Sequence, residues 1–173
     1  MAGPIQDKIK DSLKAAEGLY YRLVLLVGET GSGKTNVLRN IAEDFGTSVI
    51  NVNLALSSEL LDLTPRQRSL RLPGILEDVV KGKRPDARTP PLAPAPSLLA
   101  PVILDNTEIL FDKDLKQDPL RLLQGISRNR TVVASWNGTM NSGRLLYAET
   151  GHPEYRSYDS VDALIVEMGQ NHE

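Results

Sequence analysis

The amino-acid sequence predicts an α/β fold in which helices cover both faces of a mainly parallel sheet. Three short runs of branched apolar residues, at 23–27, 102–105 and 131–134, have the length and composition of strands that are buried on both faces. The segments between them carry apolar residues at helical spacing. Because strands alternate with helices, we expect a single three-layer domain over residues 1–173.

The first predicted element is an N-terminal helix at residues 4–18. Ile5, Ile9, Leu13 and Ala16 recur there at helical spacing. Charged residues interrupt the segment throughout, so it has the features of neither a signal peptide nor a membrane span. We expect this amphipathic helix to pack on the core, with docking to a partner as the alternative.

The strand at 23–27 runs into a complete phosphate-binding motif. Residues 28–35 read Gly-Glu-Thr-Gly-Ser-Gly-Lys-Thr, which matches the pattern G-x-x-x-x-G-K-T of a P-loop. Such a loop turns its backbone N–H groups inward, and the N-terminus of the helix predicted at 36–45 adds partial positive charge. The residues predicted to bind the nucleotide are Gly28, Glu29, Thr30, Gly31, Ser32, Gly33, Lys34, Thr35 and Asn36.

The middle of the chain carries a second strand, helices and a proline-rich segment. Residues 48–54 alternate apolar and polar side chains, as in a strand with one buried face. Thr64-Pro65 is a good helix start, and an apolar stripe follows it as far as Val80. Prolines crowd residues 83–101, so this segment is predicted to be an exposed loop, or alternatively a proline-rich partner motif.

Asp105 ends the buried strand at 102–105, in the pattern of a Walker B motif. The carboxyl ends of neighbouring parallel strands meet at one crevice, which would place Asp105 beside the P-loop. There Asp105 and Thr35 would hold a Mg²⁺ ion that bridges the phosphates, while Lys34 reaches the β- and γ-phosphates. The alternative is an aspartate that only caps a turn.

Hydrolysis also requires a group that orients and deprotonates the attacking water. Many ATPases of this class place a glutamate directly after the Walker B aspartate, but this chain has Asn106 there. An asparagine orients water but cannot take its proton, so Glu108 is the candidate base. The alternative for Glu108 is a surface carboxylate at the start of a helix.

A candidate γ-phosphate sensor follows the strand at 131–134. Asn137 stands where related ATPases place such a polar residue, and Ser135 competes for the role. Asn137-Gly138 is also a strong turn signal, so a turn residue is the alternative. The remaining predicted elements are a helix at 118–126, a small strand or hairpin arm at 144–148 and a last strand at 163–167.

Three arginines are candidates for stabilising transition-state charge across a subunit interface: Arg128, Arg130 and Arg156. Arg156 is preferred because it precedes the last predicted strand, where ring-forming ATPases commonly carry such a residue. Arg128 and Arg130 precede a strand and should lie at the opposite edge of the sheet from the nucleotide. The alternative for each is a solvated surface arginine.

Composition and charge argue against several other functions. The chain is 40% hydrophobic and 24% charged, as is usual for a globular protein with a core. A net charge of -2 provides no general attraction to nucleic acid, so direct DNA binding is not indicated. There is no cysteine for disulfides or thiolate metal sites, and no apolar run approaches the ~20 residues of a bilayer span. A cytoplasmic location is the expectation.

Beyond the two nucleotide motifs, further segments resemble a particular family. They are Asn-Val-Asn-Leu-Ala-Leu-Ser at 51–57, Leu-Asp-Asn-Thr-Glu-Ile-Leu-Phe at 104–111, Asp-Pro-Leu-Arg-Leu-Leu-Gln at 118–124, Ser-Arg-Asn-Arg-Thr at 127–131 and Tyr-Ala-Glu-Thr-Gly-His-Pro-Glu-Tyr-Arg at 147–156. With them the chain resembles the BrxF family, the small P-loop proteins of type 3 bacteriophage exclusion (BREX) systems. The resemblance covers most of the chain from Leu23 to Val166.

The resemblance implies an accessory ATPase, with ATP and Mg²⁺ as cofactors, in a defence system that distinguishes methylated host DNA from phage DNA. It implies further copies of the chain, a methyltransferase and large ATPase-type components as partners, with DNA reached through them. It also implies an AAA+/ASCE-like P-loop fold. Because few residues follow Val166, we expect no C-terminal helical lid, and a neighbouring subunit would complete the site.

Three functions stay open on the sequence alone. The leading one is an ATP-binding, slowly hydrolysing protein whose nucleotide state controls assembly with itself or with partners. The second is a small-molecule or nucleoside kinase, against which the lack of an arginine-rich lid segment counts. The third is a nucleotide-dependent scaffold without hydrolysis, which Asn106 favours.

Overall fold

A seven-stranded sheet organises the part of the chain that the structure, a computed structural model, describes: residues 4–82, 100–148 and 151–168. Strands β1 (Leu23–Gly28), β2 (Val49–Asn51), β3 (Val102–Asp105), β4 (Val132–Asn141) and β7 (Leu164–Glu167) are parallel, in the order β2-β3-β4-β1-β7. Strands β5 (Arg144–Tyr147) and β6 (Arg156–Tyr158) extend the far end of β4 as antiparallel strands. The sheet is therefore mixed, with a parallel centre.

Helices cover both faces of this sheet, as predicted. They are α1 (Pro4–Ala16), α2 (Lys34–Phe45), α3 (Val52–Leu60), α4 (Pro65–Val80) and α5 (Pro119–Ile126). Val24 and Leu26 of β1 belong to the same buried cluster as α1 and α2. Leu23, Leu25 and Val27 alternate with them and belong to the cluster that contains α3, α4 and α5. This alternation gives three layers with a core on each side of the sheet.

Local signals in the sequence fix the ends of several helices. Thr64 and Gln67 form a capping box at the start of α4, in which each side chain accepts a hydrogen bond from the backbone N–H of the other. The Asp118 side chain caps α5 by accepting from Arg121 N. Gly46 ends α2 in the left-handed conformation. Helix α1 ends at Ala16, two residues before the predicted end of the helix at 4–18.

The second strand is shorter than predicted. Residues 48–54 alternate in polarity, yet β2 stops at Asn51. The Asn51 side chain accepts a hydrogen bond from Leu54 N and caps α3, so Val52, Asn53 and Leu54 are helical. Local capping therefore overrides the alternating pattern. Of the predicted proline-rich loop at 83–101, residues 83–99 lie outside the described residues.

Strand β4 is longer than predicted, and the alternative of a turn at Asn137-Gly138 is wrong. The strand continues to Asn141, and the chain turns at Ser142 and Gly143, both with positive φ. Gly138 pairs with Tyr147 of β5, and a Cβ at Gly138 would lie 1.9 Å from the Leu146 carbonyl oxygen. Glycine is thus needed here for close approach of two strands rather than for a turn.

None of the helices in the described residues combines the length and the apolarity that crossing a membrane requires.

Candidate nucleotide-binding site

The order of the strands brings the predicted site residues to one edge of the sheet. Strand β4 lies between β1, which leads into the P-loop, and β3, which ends in Asp105. Gly28 at the end of β1 is in register with Asn137 on β4. Asn137 therefore stands between the P-loop and Asp105, at the level where β1 and β3 end, although β4 itself continues to Asn141.

The P-loop connects β1 directly to α2. Gly31 and Gly33 have φ values of 85° and 100°, which side chains with a Cβ rarely adopt. Gly33 is the N-cap residue of α2, and no side chain caps this end of the helix. The first backbone N–H groups of α2 are thus not used by a capping side chain. This is the arrangement that favours an anion at a helix N-terminus.

Lys34 is the first residue of α2, and only 6% of it is exposed. Its ammonium group donates to the carbonyl oxygens of Gly28 at 2.8 Å and Glu29 at 2.9 Å, and to Ser32 Oγ at 3.4 Å. Burial lowers the Lys34 pKa, although the nearby carboxylates of Asp105, Glu108 and Glu29 oppose this effect. The loop thus holds a buried cation against its own carbonyl groups.

Thr35 and Asp105 meet although seventy residues separate them. Thr35 Oγ1 donates to Asp105 Oδ2 at 2.7 Å, and Asp105 Oδ1 accepts from Asn106 N at 2.8 Å. A hydroxyl and a carboxylate side by side fit a Mg²⁺ ion, which takes one or two protein oxygens and completes its shell with phosphates and water. The described residues contain no group of three or more His, Cys, Asp or Glu side chains that could hold a metal unaided. These two residues fit an ion that arrives with a polyphosphate.

Glu108 lies in a 3-10 helix, Thr107–Phe111, directly after β3. Its carboxylate accepts a hydrogen bond from the Asn137 side-chain amide. Thr107 Oγ1 donates to the carbonyl oxygen of Ser135 at 2.8 Å, which fastens this 3-10 helix to β4. The candidate base and the candidate sensor are thus in direct contact. Asn106 lies beside them with a φ of 54°, a conformation that asparagine tolerates well.

These groups surround a cavity of about 320 Å³, which we call the phosphate cavity. Its lining contains most of the predicted site residues: Thr30, Gly31, Gly33, Lys34, Thr35, Asn36, Asp105, Asn106, Glu108 and Asn137. Gly28, Glu29 and Ser32 are not in this lining and instead contact Lys34. Ser135 is buried on β4 and does not line the cavity, which favours Asn137 as the residue that faces the ligand.

A second cavity, of about 550 Å³, adjoins the first, and we call it the outer cavity. Thr30, Glu108 and Asn137 line both cavities. Tyr147, Ala148, His152 and Glu154 complete the outer cavity, and none of these four was a predicted site residue. All four belong to the segment at 147–156 that contributes to the family resemblance. That resemblance was the one sequence signal that could have indicated them.

The three candidate arginines lie apart from the phosphate cavity. The Arg156 guanidinium, on β6, donates to the Gln117 carbonyl oxygen of the same chain at 2.7 Å. Arg130 pairs with Glu77 at 2.8 Å, and the Arg128 guanidinium lies over the Tyr20 ring. Arg128 and Arg130 precede β4, so they lie at the opposite end of this strand from Asn137. A role for Arg156 in a neighbouring subunit stays a prediction.

Comparison with known proteins yields little beyond this geometry. No family model matches the sequence. Among solved structures, the chain is similar to one titled "Structure of C. elegans PCH-2", with 13% sequence identity and a TM-score of 0.42. The match covers 96% of this chain and 42% of that one, so the chain spans less than half the length of the protein it matches. The fold is a mixed α/β fold with a P-loop-like site.

Proposed function

We propose that this chain binds ATP with Mg²⁺ at the P-loop and hydrolyses it slowly. The observation that carries this proposal is the 2.7 Å hydrogen bond between Thr35 Oγ1 and Asp105 Oδ2 beside the phosphate cavity that Lys34 lines. A hydroxyl, a carboxylate and an ammonium group at the start of a helix are the groups that a Mg²⁺-polyphosphate requires. Bound Mg²⁺ would neutralise charge that develops on the phosphates.

Each residue of the site has a role in this reaction. Lys34 exchanges its loop carbonyls for the β- and γ-phosphates, and the Asn137 amide contacts the γ-phosphate. Glu108 accepts a proton from water while the water oxygen forms a bond to the γ-phosphorus and the bond to the ADP oxygen breaks. Asn106 orients the water. The products are ADP and inorganic phosphate.

The contact between Asn137 and Glu108 supports slow turnover. While the amide donates to one oxygen of the carboxylate, it holds Glu108 toward Asn137 and competes with the attacking water for this group. Hydrolysis then depends on the γ-phosphate drawing the Asn137 amide away. A nucleotide that changes this contact can also shift an assembly equilibrium, to the extent that it binds one assembly state more tightly.

We assign the fold to the AAA+/ASCE-like group of P-loop proteins. The position of β4 between β1 and β3, with its polar residue facing the phosphate cavity, supports this assignment. In such an arrangement the site is completed by a neighbouring subunit, for which Arg156 is the candidate residue. The proposed function is therefore control of assembly by the nucleotide state.

We further propose that the chain acts in a BREX anti-phage system in the bacterial cytoplasm. The support is the sequence resemblance, of which the segments at 104–111 and 147–156 contribute residues to the two cavities. Its partners would be the methyltransferase and the large ATPase-type components, and DNA would be reached through them. Loss of phage protection in a type 3 BREX host carrying Lys34→Ala is the expected result. Full protection by that variant would argue against this role.

The outer cavity favours a second candidate function, that of a small-molecule or nucleoside kinase. At about 550 Å³ and lined by Glu108, it has room for an acceptor beside the phosphate cavity. A screen of nucleosides and small alcohols with labelled ATP distinguishes the two activities. Phosphorylated product in place of free phosphate would favour the kinase.

The proposed ATPase is tested by light scattering of the purified chain, without nucleotide and with Mg²⁺ and ATP, while phosphate release is followed in the same samples. We expect an increase in mass with ATP and slow release of phosphate, both lost in Lys34→Ala. A monomer that binds ATP and releases no phosphate at any concentration would contradict hydrolysis by the chain alone. That result would favour the scaffold instead.

A further inference from the structure

The outer cavity places a tyrosine beside the candidate base. Tyr147 of β5 lines the outer cavity together with Glu108, whose carboxylate also lines the phosphate cavity. The two cavities therefore meet at Glu108 and Asn137. Tyr147 lines only the outer cavity, whereas the P-loop lysine lines only the phosphate cavity.

Packing fixes the position of the Tyr147 ring relative to Glu108 and Asn137. The ring stacks on Phe111, with centroids 3.5 Å apart and an interplanar angle of 8°. Phe111 belongs to the same 3-10 helix as Glu108. Tyr147 also lies edge-on to Trp136, which precedes Asn137 on β4. The ring thus cannot turn away from Glu108 without disturbing the core.

Within the described residues, the Tyr147 hydroxyl makes no hydrogen bond to another protein group, although only 8% of the residue is exposed. None of the buried side-chain oxygens in these residues lacks a partner, so this hydroxyl is open to the outer cavity rather than sealed in the core. Tyr158, a half-buried tyrosine of the same aromatic cluster, instead donates to Asp118 Oδ1 at 2.9 Å. The Tyr147 hydroxyl is thus available to a group in the outer cavity.

The charge around Tyr147 keeps its hydroxyl a donor. Burial raises the Tyr147 pKa to about 12, and the carboxylates of Glu154 and Glu108 contribute to this increase. The phenol therefore holds its proton at neutral pH.

We propose that Tyr147 is a positioning residue for Glu108, to whose carboxylate its hydroxyl donates a hydrogen bond when the Asn137 amide turns to the γ-phosphate. Glu108 then keeps one donor and stays directed toward the attacking water, with a lone pair free for the proton. This inference rests on the proposed ATPase function. Glu108 thus accepts a hydrogen bond from Asn137 in the free protein and from Tyr147 in the nucleotide complex.

The proposal gives a kinetic signature. A donor that only positions the carboxylate acts on the chemical step, so Tyr147→Phe should slow turnover without weakening nucleotide binding. The other charged or titratable groups that line the two cavities with Glu108 are Lys34, Asp105, His152 and Glu154, and none is altered by the substitution. The ATP affinity of the variant should therefore match that of the wild type.

The kinetic test compares Tyr147→Phe with Tyr158→Phe, which removes the hydroxyl of a half-buried tyrosine from the same cluster but away from the cavities. For Tyr147→Phe we expect kcat to fall about tenfold or more, with KM within about twofold of the wild type. Tyr158→Phe should leave kcat unchanged. An equal fall of kcat in both variants would assign the effect to the aromatic packing and overturn the proposal.

A second readout does not need hydrolysis. In protein labelled with ¹³C at tyrosine Cζ, the Tyr147 signal, assigned by its loss in Tyr147→Phe, reports hydrogen bonding of its hydroxyl. A non-hydrolysable ATP analogue with Mg²⁺ should shift this signal in the wild type but not in Glu108→Ala, with Tyr158 unchanged in both. An unmoved signal in protein that binds the analogue overturns this inference alone. Failure of the analogue to bind overturns the proposed function as well.

Discussion

The side-chain amide of Asn137 on β4 donates a hydrogen bond to the carboxylate of Glu108 on the 3-10 helix after β3. Both residues line the phosphate cavity, so one amide group faces the candidate base and the predicted position of the γ-phosphate. A ligand that draws the amide toward itself changes the environment of the base. In the proposed mechanism, this contact links occupancy of the site to readiness for hydrolysis.

Replacement of Asn137 by alanine should slow ATP hydrolysis without weakening ADP binding. We expect Asn137→Ala to bind ADP as the wild type does, because ADP lacks the γ-phosphate, and to turn ATP over about tenfold more slowly or worse. ADP and ATP affinities and single-turnover rates provide the measurement. Ser135→Ala is the matched control, since Ser135 is buried on the same strand and lies outside the cavity lining. A loss of turnover in Ser135→Ala alone would move the sensor role to Ser135.

Replacement of Glu108 by glutamine should keep ATP binding and stop hydrolysis. Glutamine still accepts the Asn137 hydrogen bond but cannot take a proton, so we expect turnover to fall roughly 100-fold or more. Glu154→Gln removes another carboxylate that faces the outer cavity and should have a small effect. Phosphate release that survives in Glu108→Gln and disappears in Glu154→Gln would reverse the assignment of the base.

Arg156 is best tested by mixing two inactive variants. In the structure its guanidinium donates to Gln117 O of the same chain, so a role in the neighbouring site requires this hydrogen bond to break on assembly. We expect Arg156→Ala to bind ATP normally and to lose turnover only in the assembled form. Mixed with Lys34→Ala, it should regain part of its activity, because some interfaces then combine an intact P-loop with an intact arginine. A mixture as inactive as its components would contradict a shared site.

Stability should decrease at alkaline pH because of the buried tyrosines. An unfolded tyrosine ionises near pH 10, whereas burial raises the Tyr147 pKa to about 12 and raises the Tyr158 pKa as well. Their contribution is complete below pH 10 and is lost as the pH rises through the folded-state values. Thermal unfolding measured from about pH 8 to about pH 11 should show a smaller decline of the melting temperature in Tyr147→Phe than in the wild type. A decline equal to that of the wild type would contradict this.

Much of the fold and the site follows from local sequence signals. The apolar runs predict β1 and β3, and the motif at 28–35 predicts the loop between β1 and α2. Asp105 meets Thr35 because parallel strands end at a common edge, a rule that holds whatever the separation in sequence. These predictions need no knowledge of distant contacts.

The rest depends on contacts that a sequence pattern does not reveal. Asn137-Gly138 has the composition of a turn, but the close approach of Leu146 keeps Gly138 within a strand. Strand β6 is three residues long and lacks an alternating apolar pattern, so its pairing with β5 was not predicted. Strand β5 agrees with the small strand predicted at 144–148, but its pairing with β4, which carries Tyr147 to the outer cavity, depends on distant contacts. Tyr147 was therefore not among the predicted site residues.

The most direct test of nucleotide binding at this site is a calorimetric titration of Mg²⁺-ATP into wild-type protein and Lys34→Ala. Lys10→Ala is the control, because Lys10 forms only an exposed ion pair with Asp44 at 2.8 Å. We expect binding to the wild type and to Lys10→Ala with the same affinity, and binding about 100-fold weaker to Lys34→Ala, which lacks the charge-assisted hydrogen bonds to the phosphates. Equal affinity of Lys34→Ala and the wild type would contradict the assignment of the P-loop.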